Sequence, residues 1–228
     1  MGQRPTPLGE ASFDIGIEID RGSSDIVLKT VGATPLLGCE LTAVLQEDWA
    51  IQEAQEILLK AVEELTARRS KDQLRTWGGH RSVYWRRAED GLHAYERSGN
   101  TFHLGVQRTA AALGAQRWVC DTYQAPYEPC YENDLIALSP AALVAGTPVE
   151  GVRYLPESAM QSGWFLIEDT FDGSVDDLEN HHAYDVTAVR SDLERYFGLP
   201  PGWRFYRTTV GENVYPDPNR SEKAKRSN

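Results

Sequence analysis

The sequence has few of the residues that mark a reactive or metal-binding site by their spacing. It contains three cysteines, Cys39, Cys120 and Cys130, and no CxxC pair. A disulfide framework and a zinc site are therefore not indicated. The motifs GxSxG, GxGxxG and HExxH and the phosphate-binding Walker loop are also absent. The sequence thus predicts no catalytic residue, no metal ligand and no cofactor.

Basic residues and long apolar runs are scarce as well. Lys and Arg total 23 against 34 Asp and Glu, which gives a net charge of −11. Such a chain is not expected to bind nucleic acid, because phosphate contacts need a basic face. No apolar run approaches the roughly 20 residues of a membrane helix, and the N-terminus lacks the apolar core of a signal peptide. We expect a cytoplasmic protein that does not bind membranes.

The patterns that are present are those of an α+β protein with a mostly antiparallel sheet. Apolar residues alternate over residues 13–19, which is typical of a strand with one buried face. Further strands are predicted at 25–30, 41–45, 81–87 and 91–106. Gly99-Asn100 is predicted to form a hairpin turn, which would place Glu96 opposite His103.

Residues 49–67 form the strongest helical pattern of the chain. Ala54, Leu58, Ala61 and Leu65 recur at spacings of three and four residues, so they lie along one stripe of a helix. This amphipathic helix is expected to pack on the sheet with that stripe buried.

The Pro- and Tyr-rich segment 124–133 is a candidate domain boundary, between strands predicted at 118–123 and 135–138. We expect an N-terminal α+β domain over residues 1–130, a small C-terminal domain over 131–210 and a flexible tail over 211–228.

Charge is concentrated in the segment 161–185, which contains no Lys or Arg. Its seven acidic residues are Glu168, Asp169, Asp172, Asp176, Asp177, Glu179 and Asp185. Such a surface attracts a basic partner and speeds association with it. The alternative is a solvated loop without a partner.

Two further groups of residues are candidate sites. His181-His182 is not favoured as a metal site, because neighbouring residues on a strand point to opposite faces. Between Arg68 and Arg87, seven basic residues surround Trp77, Tyr84 and Trp85. Arginine with aromatic residues is typical of binding hot spots, but it is also ordinary on the outer face of a hairpin.

Short motifs in the C-terminal third are shared with a known bacterial family. They are Leu135-Ile136-Ala137-Leu138-Ser139, Val152-Arg153-Tyr154, Ser162-Gly163-Trp164, Glu168-Asp169, Asp176-Asp177-Leu178-Glu179-Asn180, Tyr184-Asp185-Val186 and Leu199-Pro200-Pro201-Gly202-Trp203-Arg204-Phe205. By these motifs the segment 134–207 resembles the immunity-protein-33 type domain, also catalogued as a domain of unknown function. It departs from the family at Ile167, where a glycine is usual, and at Leu155-Pro156, where an arginine commonly follows the strand.

The resemblance implies a small α+β immunity-type domain that binds and occludes an antibacterial toxin delivered between competing bacteria. It implies a non-enzymatic protein that acts in the producer's cytoplasm on a cognate toxin domain. Since the acidic segment suits a basic toxin, the expected contact residues are Glu168, Asp169, Asp172, Asp176, Asp177 and Glu179. Two alternatives stay open. One is a hydrolase that reverses a toxin's modification, with its site near Asp176, Asp177, His181 and His182. The other is a regulatory interaction module without a toxin partner.

Overall fold

The computed structural model describes residues 14–67 and 74–217, which form an α+β fold with two mixed sheets. The strands are β1 Gly16–Arg21, β2 Ile26–Val31, β3 Leu41–Leu45, β4 Arg75–Gly78, β5 Arg81–Ala88, β6 Gly91–Ser98, β7 Thr101–Leu104, β8 Leu135–Leu138, β9 Val149–Arg153, β10 Gln161–Glu168, β11 Glu179–His182, β12 Trp203–Arg207 and β13 Glu212–Pro216. The helices are α1 Thr34–Leu37, α2 Ile51–Ala67, α3 Gln107–Tyr123 and α4 Ala183–Val189. Short 3-10 turns span Asp48–Ala50, Pro140–Leu143, Val175–Asp177 and Ser191–Tyr196.

The first sheet confirms the strands predicted in the N-terminal part, apart from Phe13, which lies outside the described residues. Its order is β1-β2-β3-β6-β5-β4, and β7 also pairs with β6. Neighbouring strands are antiparallel except for the parallel pair β3 and β6. Gly99 turns the chain at a φ of 58°, and Glu96 lies opposite His103 as predicted.

Helix α2 packs on this sheet through the stripe that its sequence predicts. Ala54, Leu58 and Ala61 are fully buried in the first core, and Leu65 is half-buried against it. The helix therefore joins the sheet through apolar contacts along most of its length.

Helix α3 corrects one prediction, because residues 118–123 are its last turns and not a strand. Its first turn is capped by the Glu96 carboxylate, which accepts hydrogen bonds from the backbone N–H groups of Arg108 at 3.1 Å and Thr109 at 2.9 Å. Gln124, with a φ of 56°, adopts the left-handed conformation that ends the helix. The Glu96 cap and the burial of Val119 and Cys120 in the second core thus override the local preference of the aromatic and β-branched residues for a strand.

The second sheet has the order β11-β8-β10-β9-β12-β13, with β8 and β10 parallel. Its core is built around Trp164, Phe197 and Phe205. Strand β13 pairs with β12 over its whole length, so the described part of the expected tail at 211–217 belongs to the sheet. The rest of that tail lies outside the described residues.

Buried polar contacts join the two sheets. Arg81 of β5 donates to both carboxylate oxygens of Glu194, at 2.6 and 2.9 Å. Beside this pair, Nδ1 of His80 donates to the carbonyl of Cys130 at 2.9 Å. Burial lowers the pKa of His80, because it disfavours the charged imidazolium. Helix α3 adds to both cores, with Leu113 in the first and Val119 in the second. Because α3 contributes to both cores, the domain boundary predicted at residue 130 stays a proposal.

Candidate functional site

The acidic segment, defined here as residues 168–185, runs from the end of β10 to helix α4. It includes the 3-10 turn Val175–Asp177 and strand β11, which pairs with β8 at one edge of the second sheet. No Lys or Arg occurs between Arg153 and Arg190. The segment therefore brings carboxylates to a sheet edge without basic residues between them.

Two of the expected contact residues are tied into the second sheet. The Glu168 carboxylate accepts a hydrogen bond from Oγ of Ser139, just after β8. Oδ2 of Asp169 accepts one from the hydroxyl of Tyr206, on β12, at 2.8 Å. This hydrogen bond raises the pKa of Tyr206, because it stabilises the protonated phenol. Glu168 and Asp169 thus fix the start of the segment and are less free to meet a partner.

The other four expected residues are exposed, as Asp169 is, but among the described residues none of their side chains is tied to another strand of the sheet. Oδ1 of Asp172 accepts from the backbone N–H of Ser174 at 2.9 Å, and Oε2 of Glu179 lies 3.0 Å from Nε2 of His181. Asp176 and Asp177 lie in the 3-10 turn and point into solvent beside Val175, which is 72% exposed. The part of the site open to a partner is therefore the stretch from Asp172 to Glu179.

Arginines elsewhere in the second sheet do not neutralise this stretch. Arg204 pairs with Glu150 at 2.9 Å, and Arg195 pairs with Glu212 at 3.4 Å. Arg190 is buried and holds the carboxylate of Asp192, which lowers the pKa of Asp192. None of these three arginines therefore forms an ion pair with a carboxylate between Asp172 and Glu179.

The two histidines beside the acids have other partners. Nε2 of His181 lies against Glu179, and Nδ1 of His182 lies 2.8 Å from the carbonyl of Asn133. In the described part of the chain, no three His, Cys, Asp or Glu side chains converge as a metal site would require. The hydrolase alternative near Asp176, Asp177, His181 and His182 thus gains no support from this geometry.

A cleft of about 270 Å³ lies where strand β6 meets the second sheet. Its lining residues are Arg97, Glu132, Asn133, His182, Tyr184 and Asp185. The guanidinium of Arg97 lies 4.9 Å from the centroid of the Tyr184 ring. The cleft is small and lined by polar and charged groups, whereas small-molecule sites are larger and mostly apolar. It marks instead the place where the two sheets share a surface next to the acidic segment.

None of the three cysteines has the setting of a nucleophile. Cys120 and Cys130 are buried, and burial raises the pKa of the Cys120 thiol to about 11 and that of Cys130 to about 12. Both thiols are protonated at neutral pH and shielded from substrate. Cys39 is half-buried and also unbridged.

The arginine-rich stretch in the N-terminal part is only partly a surface. Trp85 is buried and donates its Nε1–H to Oγ1 of Thr76 at 2.8 Å, so it is a core residue. Arg86 and Arg87 are exposed, on opposite faces of β5. Arg68, Arg69 and Lys71 lie outside the described residues. The sequence analysis did not include Tyr95 and Arg97 of the neighbouring strand β6 in this candidate surface. Their alternate positions in the predicted strand 91–106 indicate that both side chains lie on the same face of the sheet.

Comparison with known proteins finds a match to the second sheet and to the end of helix α3, which precedes it. Residues 115–217 match the family model of the Imm33-like domain. The match confirms the resemblance seen over 134–207 and begins earlier, within α3. No curated protein and no solved structure matches the chain.

The Imm33-like region contains the whole acidic segment and all six expected contact residues. Its name indicates an immunity-type domain, which supports a non-enzymatic role. No helix among the described residues combines the length and the apolar composition needed to cross a bilayer.

Proposed function

We propose that this protein is a bacterial immunity protein that binds a cognate toxin domain and blocks it by occlusion rather than by catalysis. The observation that carries the proposal is the position of the acidic segment within the Imm33-like region. The proposal places the protein in the cytoplasm of the toxin-producing cell, where it meets its partner.

The acidic segment suits a toxin domain with a basic surface. Four exposed carboxylates, those of Asp172, Asp176, Asp177 and Glu179, lie within eight consecutive residues. Toxins that act on nucleic acids carry basic surfaces, because they must approach phosphates. Complementary charge at the rim of an interface speeds encounter and selects the partner, while the apolar contacts at its centre slow dissociation.

Reversing the charge of the turn is expected to slow toxin binding. Asp176→Lys with Asp177→Lys should lower the association rate constant by about tenfold or more at low salt, and by less at high salt. The measurement is stopped-flow or surface-based kinetics against the toxin domain encoded next to this chain's gene, at two salt concentrations. The melting temperature should stay close to that of the wild type, because both carboxylates are exposed and unpaired in the described structure.

A matched control separates local charge from net charge. Glu18→Lys with Asp20→Lys changes the net charge by the same amount on exposed positions of β1, in the first sheet. This control should keep the wild-type association rate to within about twofold. An unchanged rate in the Asp176/Asp177 variant, with cells still protected from the toxin, would show that the toxin binds elsewhere.

A further inference from the structure

The outward face of strands β4 to β7 carries a second unusual surface, which we call the arginine–aromatic face. It consists of Arg75, Trp77, Tyr84, Arg86, Tyr95, Arg97 and Phe102. Side chains alternate along a strand, and Val83, Trp85 and Ala94 point inward to the core shared with α2. The strand register pairs Tyr84 with Tyr95 across the outward face.

The arginines on this face are held by rings. The guanidinium of Arg86 lies 4.4 Å from the ring centroid of Phe102 and 4.9 Å from that of Tyr95. Arg75 lies 5.1 Å from the centroid of Trp77, and Arg97 lies over Tyr184. Cation–π contacts of this kind fix a guanidinium without neutralising it. The charged groups are therefore already ordered before a partner arrives, which lowers the entropy lost on binding.

These arginines also lack acidic partners. Within residues 14–67 and 74–217, no carboxylate forms an ion pair with Arg75, Arg86 or Arg97. Glu132 and Asp185 line the cleft next to Arg97, whose Nε–H is donated to the carbonyl of Gly99 at 2.8 Å. By contrast, Arg21, Arg81, Arg117, Arg190, Arg195 and Arg204 are each paired with a carboxylate. A cluster of unpaired arginines stands out in a chain whose net charge is −11.

We propose that the arginine–aromatic face binds a carboxylate-rich segment of a separate protein. Carboxylates accept paired hydrogen bonds from a guanidinium edge, and ordered arginines beside aromatic rings are the usual centre of protein interfaces. A nucleic acid fits less well. The guanidinium of Arg86 covers the rings of Tyr95 and Phe102, on which bases would have to stack. The net negative charge of the chain also repels a long polyanion.

This surface is distinct from the acidic segment. Its residues, apart from the supporting Tyr184, precede residue 115 and so lie outside the Imm33-like match. Its charge is also opposite to that of the acidic segment. With both surfaces, the protein would bind a basic partner at the acidic segment and an acidic partner at the arginine–aromatic face. Each proposal is tested independently of the other.

The test uses the full-length protein and a fluorescently labelled glutamate–tyrosine copolymer, which supplies carboxylates and rings. Binding is followed by fluorescence anisotropy at low salt. Arg86→Gln with Arg97→Gln should weaken binding about tenfold or more, because it removes two exposed guanidinium groups and leaves neutral, polar side chains in their place. The control is Arg87→Gln, which removes an exposed arginine from the opposite face of β5 and should change affinity by less than about twofold. Unchanged melting temperatures establish that all variants are folded.

Four results would overturn the proposal. The first is that the copolymer does not bind at low salt, and the second is that Arg87→Gln weakens binding as much as the double variant does. Labelled oligothymidylate of similar length could bind as tightly as the copolymer and lose affinity in the double variant, which would identify a nucleic-acid surface. Self-association of the wild type in sedimentation velocity, abolished by the double variant, would assign the face to a second copy of this chain.

Discussion

Replacing Leu58 by aspartate is expected to unfold the first sheet and leave the protein insoluble. The Leu58 side chain is 0% exposed and lies in the core between α2 and the sheet. A carboxylate there has no basic partner, and burying an unpaired charge costs several kcal/mol. That cost is comparable with the whole stability of a typical domain, about 5–15 kcal/mol. The measurements are the soluble fraction after expression and the far-ultraviolet circular dichroism of any soluble protein.

The adjacent residue provides the control for this prediction. Leu59 is 40% exposed, because it lies about 100° around the helix from Leu58. Leu59→Asp therefore adds the same charge at a position that solvent reaches. That variant should be soluble and should lose at most about 1 kcal/mol of unfolding free energy. Soluble Leu58→Asp protein with a cooperative thermal transition would mean that the apolar stripe of α2 does not pack on the sheet.

Helix α2 and the hairpin at Gly99 were predictable because their signals are local. The stripe through Ala54, Leu58 and Ala61 repeats with the period of a helix, and a single core covers it. The turn at Gly99-Asn100 needs a positive φ, which these residue types favour. In both cases the residues that determine the structure lie within a few positions of one another.

Helix α3 was not predicted from the sequence, because it serves two cores at once. Ala110 and Leu113 face the first core, whereas Val119 and Cys120 face the second. Its buried face includes the polar side chains of Thr109 and Gln116, so the sequence shows no continuous apolar stripe. The carboxylate that caps the first turn of α3 belongs to Glu96, on strand β6.

In the charged candidate sites too, contacts between residues far apart in the sequence could not be predicted. The run of acids from Glu168 to Asp185 is visible in the sequence, but the anchoring of Asp169 by Tyr206 joins residues 37 positions apart. The pairing of Arg81 with Glu194 spans 113 positions. Sequence patterns give the sign of a surface, whereas the fold decides which of its charges are free.

Replacing Trp164 by alanine is expected to destabilise the second sheet by about 3–5 kcal/mol, because it opens a large cavity. Trp164 is 1% exposed. The centroid of its ring lies 5.5 Å from that of Phe205 and 6.0 Å from that of Phe197. Chemical denaturation followed by circular dichroism measures the change in unfolding free energy. Under the proposed function, the same variant should weaken binding of the toxin domain only as far as it unfolds the Imm33-like region, because Trp164 does not reach the surface.

Two other variants test whether the loss of stability in Trp164→Ala comes from the loss of a buried ring. Trp164→Phe keeps most of the ring volume and removes an indole N–H that has no hydrogen-bond partner among the described residues. It should therefore cost less than Trp164→Ala, since the lost apolar contact is partly offset by removal of a buried, unpaired donor. Trp118→Ala, at a ring that is 54% exposed and lies over Arg195, should cost about 1 kcal/mol or less. Equal losses in Trp164→Ala and Trp118→Ala would contradict the assignment of Trp164 to the core and would make it a candidate partner contact.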